Sequence, residues 1–216
     1  MDRFGLGFRL FLAVLTVSGF YAGPVMAQSD QTGASASSAA AVKWNPPLMG
    51  DMIKLEVFQD LKKLPEVHMT QDGGGITNLS DTKGKVVVLN IWATWCPPCV
   101  KELPSLNALQ LAMGNDDFQV IAMSMDKGTE GQKAAKKFME DNNLASLRPY
   151  TDGYDELTKL EAMRDVAGIP VTLILDKKMR VVARYQGDAD WNGRAARAVI
   201  EYYLKNSEEY NPYEGL

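Results

Sequence analysis

From Lys85 to Trp92 the chain is apolar at every position except Lys85 and Asn90, with three consecutive valines. A run this short and this rich in β-branched residues reads as a buried strand. Directly downstream, Val100 to Met113 takes helical spacing, so a helix starting at Pro97 follows the strand across a tight turn. Phe118 to Met125 repeats the strand pattern. Thr129 to Asn142 predicts a helix with Ala134, Ala135, Phe138 and Met139 on its apolar face. Tyr154 to Val166 predicts a shorter helix, and Val171 to Leu175 a strand that turns through Asp176 to Met179 into Arg180 to Tyr185. Trp191 to Leu204 predicts a closing helix. Upstream, Val67 to Thr70 and Ile76 to Leu79 flank the turn Asp72-Gly73-Gly74-Gly75 as a hairpin. Met52 to Leu64 has mixed periodicity and reads as a helix or an irregular extension. The order β-α-β-α-(α)-β-β-α predicts an α/β domain: a central mixed sheet with helices on both faces and an inserted helical segment.

The N-terminus changes the picture. Arg3 and Arg9 flank the start of an apolar run that continues to Phe20, Gly23-Pro24 breaks it, and Val25-Met26-Ala27 suits a signal peptidase. Residues 1–27 therefore read as a secretory signal cleaved after Ala27, with an uncleaved membrane anchor as the alternative. The run is short of the roughly 20 apolar residues a span needs. The expected destination is a periplasm or an equivalent oxidising space. Residues 28–46 are small and polar and read as a flexible tether, which leaves 47–216 for one domain with a core over about 65–204. No repeat of 20–50 residues is present, which excludes solenoids and propellers. A net charge of −4 with no basic block argues against nucleic acid as a partner. Lys133, Lys136 and Lys137 fall at helical spacing and read as a solvated face.

The chemistry concentrates in Cys96-Pro97-Pro98-Cys99, which holds the chain's only two cysteines. They fall on the strand-to-helix turn, where free N–H groups and the helix dipole favour a thiolate over a thiol. A structural disulfide across so short a loop removes little entropy from the unfolded chain. Two cysteines and a distant His68 fall short of the four ligands of a zinc site, so no metal is expected. The pattern points to disulfide exchange, with Cys96 as nucleophile and Cys99 as resolving thiol. Pro97 and Pro98 lack N–H groups, leaving mainly the Cys99 N–H and the dipole to stabilise a Cys96 thiolate. That predicts a moderately lowered Cys96 pKa, nearer the thioredoxin figure of about 7 than the DsbA figure of about 3.5, and hence a reductant. His68 reads as structural, and the methionines as core filling.

The segment Asn90-Ile91-Trp92-Ala93-Thr94-Trp95-Cys96-Pro97-Pro98-Cys99 closely resembles the active-site signature of the TlpA/ResA-like thioredoxins. Leu79-Ser80-Asp81-Thr82-Lys83-Gly84-Lys85, Glu102-Leu103-Pro104, Ser124-Met125-Asp126 and Gly168-Ile169-Pro170-Val171-Thr172 match it in the expected order, over roughly residues 65–204. The ending Gly187-Asp188-Ala189-Asp190-Trp191 looks more like the TlpA branch than the cytochrome-maturation branch. The resemblance implies a thioredoxin-like fold and dithiol–disulfide exchange, usually as a reductant, with no cofactor beyond the Cys96–Cys99 disulfide. It implies client proteins with disulfides, of the cytochrome c or copper-centre assembly type, and a membrane electron donor of the DsbD or CcdA kind. The chain is expected to act as a monomer.

The same resemblance implies a proton-managing role for Glu102, in place of the buried strand aspartate of ordinary thioredoxins, whose position here is Asn90. General acid/base assistance to Cys99 is therefore assigned to Glu102, the alternative being a surface carboxylate favoured by the helix dipole. It also implies a cis peptide before Pro170, with the Ile169 backbone available to an extended client. Trp95, Pro97, Ile169 and Pro170 are the candidate substrate contacts. Pro104 is expected to kink the active-site helix. The competing readings are a disulfide oxidase or isomerase, and a Cu(I)-binding module that uses the same cysteines.

Overall fold

The computed structural model describes residues 44–207 apart from 62, 63 and 154, so the expected signal segment and nearly all of the tether lie outside the described residues. The run that opened the sequence argument is the centre of the sheet. The fourth strand, β4 (Val86–Trp92), is fully buried along its length. It pairs in parallel with β5 (Phe118–Ser124) and antiparallel with β7 (Val171–Leu175). Around these lie β8 (Val181–Gln186) and the short β1 (Glu56–Val57) on one side. On the other are β6 (Tyr150–Thr151) and the hairpin β2 (His68–Thr70) and β3 (Ile76–Asn78). The order is β1-β8-β7-β4-β5-β6-β2-β3, a mixed sheet of eight strands among the described residues.

Side chains alternate across a strand, so β4 feeds two cores. Val86, Val88 and Trp92 face a core built with α1 (Pro97–Met113), α2 (Gly128–Asp141) and α3 (Arg194–Asn206). Val87, Leu89 and Ile91 face the other, which is closed by Val67, Leu79, Leu157, Leu160 and Met179. The α/β thioredoxin-like class stands, but the second face is covered by tighter structure than expected. The helix expected over 154–166 is instead two 3₁₀ turns, Leu157–Lys159 and Glu161–Met163, with extended backbone at Leu160 between them. The Asp152 carboxylate accepts from the Glu156 and Leu157 N–H groups, and burial of Leu157 and Leu160, three residues apart, suits a three-residue turn.

Other differences are local. Of the two readings for 52–64, the irregular extension fits and the helix does not: the described residues there make a 3₁₀ turn (Gly50–Lys54) and β1. Ala134 is exposed, and α2 packs through Ala135, Phe138 and Met139. Trp191 precedes α3, which starts only at Arg194. β6 gave no readable signal, because it is only two residues long. Trp44, counted with the tether, is 3% exposed and meets the Tyr202 and Tyr203 rings edge-on, so the packed domain includes it. The three lysines of α2 are solvated as expected, and they pair with Glu130, Asp72 and Asp141. His68 is tied to Glu156 through its Nδ1 at 3.0 Å, a structural contact.

Candidate functional site

Cys96 is the N-cap of α1, and its position is set from two sides. Upstream, the turn at residues 93–95 is held by Asp126, at the end of β5. Its carboxylate accepts the Thr94 N–H and the Thr94 hydroxyl, both at 2.9 Å, and the Ser124 hydroxyl at 2.5 Å. Asp126 was legible only as a motif residue; its part in holding this turn appears in the fold. Downstream, the first turn of α1 carries Pro97 and Pro98, which need no hydrogen-bond partner there.

The structure holds Cys96 and Cys99 as a disulfide. The Cys99 N–H donates to Cys96 Sγ at 3.3 Å, the single main-chain donor left by the two prolines and the one the sequence isolated. Cys96 is 4% exposed and Cys99 0%, so the N-terminal sulfur is the reachable one. Facing it, the Ile169 carbonyl oxygen lies 3.6 Å from Cys96 Sγ, and the Ile169–Pro170 peptide is cis, as the resemblance implied. Trp95 stands beside the pair, 67% exposed, with Pro97 also at the surface. Of the expected substrate contacts, Ile169 is therefore seated against the disulfide and Trp95 and Pro97 flank it, while Pro170 is buried.

Glu102 is not the surface carboxylate of the alternative reading. It is 2% exposed, one turn along α1 from Cys99. Three neutral donors meet it: Asn90 Nδ2 at 2.7 Å on Oε1, and the Ala189 N–H at 3.1 Å and Trp191 Nε1 at 2.9 Å on Oε2. Burial raises its pKa to about 7, with nearby Asp188 adding to the rise; the three donors oppose it without restoring an ordinary carboxylate. Asp188 is itself paired with Lys101 at 2.6 Å, which draws that cation outward to the surface. A carboxyl whose pKa is raised to about 7, one helical turn from the cysteine pair, suits general acid/base work.

Sequence reasoning found Glu102 and Asn90 but not Trp191 or Ala189, the two donors on Oε2. Trp191 had been placed inside the last helix. Its indole is instead fully buried ahead of α3, stacked edge-on with Tyr185 and aimed at the carboxylate. The ending that contains Trp191 carried the only signal, and it was one of resemblance rather than of chemistry.

The comparisons with known proteins agree with this geometry. The Redoxin family model matches residues 59–203. A protein named thiol-disulfide oxidoreductase ResA from Bacillus cereus is 32% identical over 133 residues, covering 62% of this chain and 73% of its own length. A ResA from Bacillus thuringiensis is 31% identical over 150 residues, covering 69% and 79%. Among solved structures, a protein described as a putative thiol:disulfide interchange protein DsbE from Chlorobium tepidum superposes with a TM-score of 0.53 at 26% identity. That match covers 67% of this chain and 96% of the other. These proteins are named for thiol–disulfide chemistry, and the solved structure shares the fold described above. The chain belongs to the Redoxin family and, within it, to the ResA/TlpA-like thioredoxin-fold thiol–disulfide oxidoreductases.

Proposed function

We propose that this oxidoreductase works as a periplasmic disulfide reductase on cysteine pairs of client proteins, of the cytochrome c or copper-centre assembly type. The observation that carries the direction is the poor provision for a Cys96 thiolate: one main-chain donor, Cys99 N–H, and two prolines. A weakly stabilised thiolate favours giving electrons away. The apolar N-terminal run supports export, as do relatives described as an exposed lipoprotein from Streptococcus pneumoniae and a secreted isomerase from Corynebacterium glutamicum. No helix among the described residues is long and apolar enough to cross a membrane.

In the reaction, the Cys96 thiolate attacks a client disulfide, forming a Cys96–client mixed disulfide and releasing one client thiolate. The Ile169 main chain receives the client as an added strand segment, with Trp95 and Pro97 at its edge. The Glu102 carboxylate takes the Cys99 thiol proton. The Cys99 thiolate then attacks Cys96 Sγ, the mixed disulfide breaks, the Cys96–Cys99 bond forms, and the second client thiolate leaves. Two electrons pass to the client, whose thiolates take up two protons. A membrane dithiol of the DsbD or CcdA type restores the reduced pair.

The deciding measurement is the reduction potential of Cys96/Cys99, read by tryptophan fluorescence in graded thiol buffers. The expected value lies near or below the glutaredoxin range of about −200 to −230 mV. A value near the DsbA figure of about −120 mV would make the protein an oxidase and overturn the direction.

A further inference from the structure

Among the described residues, the Glu102 side chain is hydrogen-bonded only by donors, which suits its carboxylate and leaves the proton of its acid form no acceptor. Ala189 N–H and Trp191 Nε1 cannot reverse, since neither has a lone pair to offer. Asn90 can, because its amide carries a donor on one side and an acceptor on the other. Asn90 is fully buried on β4, and the register places it opposite Thr172 on β7. Its Nδ2 donates both to Glu102 Oε1 at 2.7 Å and to Thr172 Oγ1 at 3.0 Å. Its Oδ1 is buried with no hydrogen-bond partner among the described residues. The far side of the amide therefore offers no partner to either end, so the orientation is set on the near side, and turning the amide costs the unmet N–H groups it leaves behind. The near side has two partners, and one of them, the Thr172 hydroxyl, donates or accepts equally well.

We propose that Asn90 turns over with the proton on Glu102: Nδ2 faces the carboxylate, Oδ1 faces the carboxylic acid, and the Thr172 hydroxyl changes from acceptor to donor to match. Asn90 and Thr172 are then positioning residues that give a buried carboxyl a hydrogen-bond partner in both protonation states. The inference rests on the proton exchange assigned to Glu102 above. The ionisable groups nearby are Asp188 after β8, Lys101 on α1, Tyr185 on β8 and Asp51 in the first 3₁₀ turn. Lys101 is committed to Asp188, and the carboxyl is hydrogen-bonded by none of the four.

Neutron diffraction from the deuterated full chain in its oxidised form, at pH 5.5 and pH 8.5, reads the amide directly. The expected result is an ND₂ group facing Glu102 at pH 8.5. At pH 5.5, a deuteron on Glu102 should point at Asn90 Oδ1. A deuteron that arrives on Glu102 while the amide keeps one orientation overturns the inference and leaves the catalytic reading intact. A Glu102 without a deuteron at either pH overturns both. In solution, Thr172→Val keeps the shape and removes the hydroxyl, leaving an unmet N–H in the carboxylate state, which is worse than an unused lone pair in the acid state. The Glu102 midpoint, followed by the carbon-13 shift of its carboxyl, should rise by about half to one pH unit and return with Thr172→Ser. An unchanged midpoint in Thr172→Val overturns the part assigned to that hydroxyl.

Discussion

Strand β7 has a buried carboxylate near each end, and the two are treated oppositely. At its C-terminal end, Asp176 is fully buried in the β7–β8 turn. It accepts the Lys178 and Arg180 N–H groups on Oδ1 and the Arg180 guanidinium on Oδ2, with Nε at 2.7 Å. At the other end, Thr172 leads through Asn90 to Glu102, which has three donors and, among the described residues, no cation hydrogen-bonded to it. A buried charge matched by an opposite charge is a fixed structural element. A buried carboxyl met only by neutral donors is held between its two protonation states, and that is useful only where a proton must move. Asp176 is thus held as an anchor of the β7–β8 turn, while Glu102 on α1 is left free for the proton exchange proposed above.

The contrast is broken most severely by Asp176→Ala. It strands the buried Arg180 guanidinium and should cost about 3–5 kcal/mol in urea unfolding while leaving the pH dependence of cysteine alkylation unchanged. Glu102→Gln should do the reverse. The Glu102 pKa is raised in the folded state, so its contribution to stability is complete below the unfolded value and is lost as pH rises through about 7. Relative to the native chain in its oxidised form, Glu102→Gln should therefore gain up to about 3 kcal/mol between pH 4.5 and pH 8. A gap in unfolding free energy that stays constant with pH would deny the raised pKa. Trp191→Phe keeps a ring against Tyr185 but withdraws one donor from the carboxylate. It should raise the Glu102 midpoint by about one further pH unit, read by carbon-13 shifts. At the bottom of the scale, Lys137→Ala removes an exposed pair with Asp141 on α2 and should change stability by less than about 0.5 kcal/mol, with no effect on the site.

Much of this molecule was legible before any coordinate. β4, β5 and β7 followed from short, nearly continuous apolar runs rich in β-branched residues, and the two helices flanking β5 from helical spacing over three turns or more. The segment 154–166 misled. Its apolar spacing suits a helix, but Asp152 caps two N–H groups, left-handed backbone at Asp155 and Asp165 bounds the segment, and extended backbone at Leu160 splits it into two single turns. The cysteine pair, its prolines and the sole Cys99 donor are neighbours in sequence, so the reactive end of the site could be read residue by residue.

What decides the proton end is separated by long stretches of chain. Trp191 and Glu102 are 89 residues apart, and Asn90 and Thr172 are 82 apart. Their meeting depends on the antiparallel register of β4 with β7 and on where the loop after β8 crosses α1, neither of which leaves a local pattern. The sequence alone determined which atoms exchange electrons, because that chemistry sits on one turn of chain. Only the tertiary structure decided how the accompanying proton is held, because burial and hydrogen-bond geometry are properties of residues brought together from four separate elements.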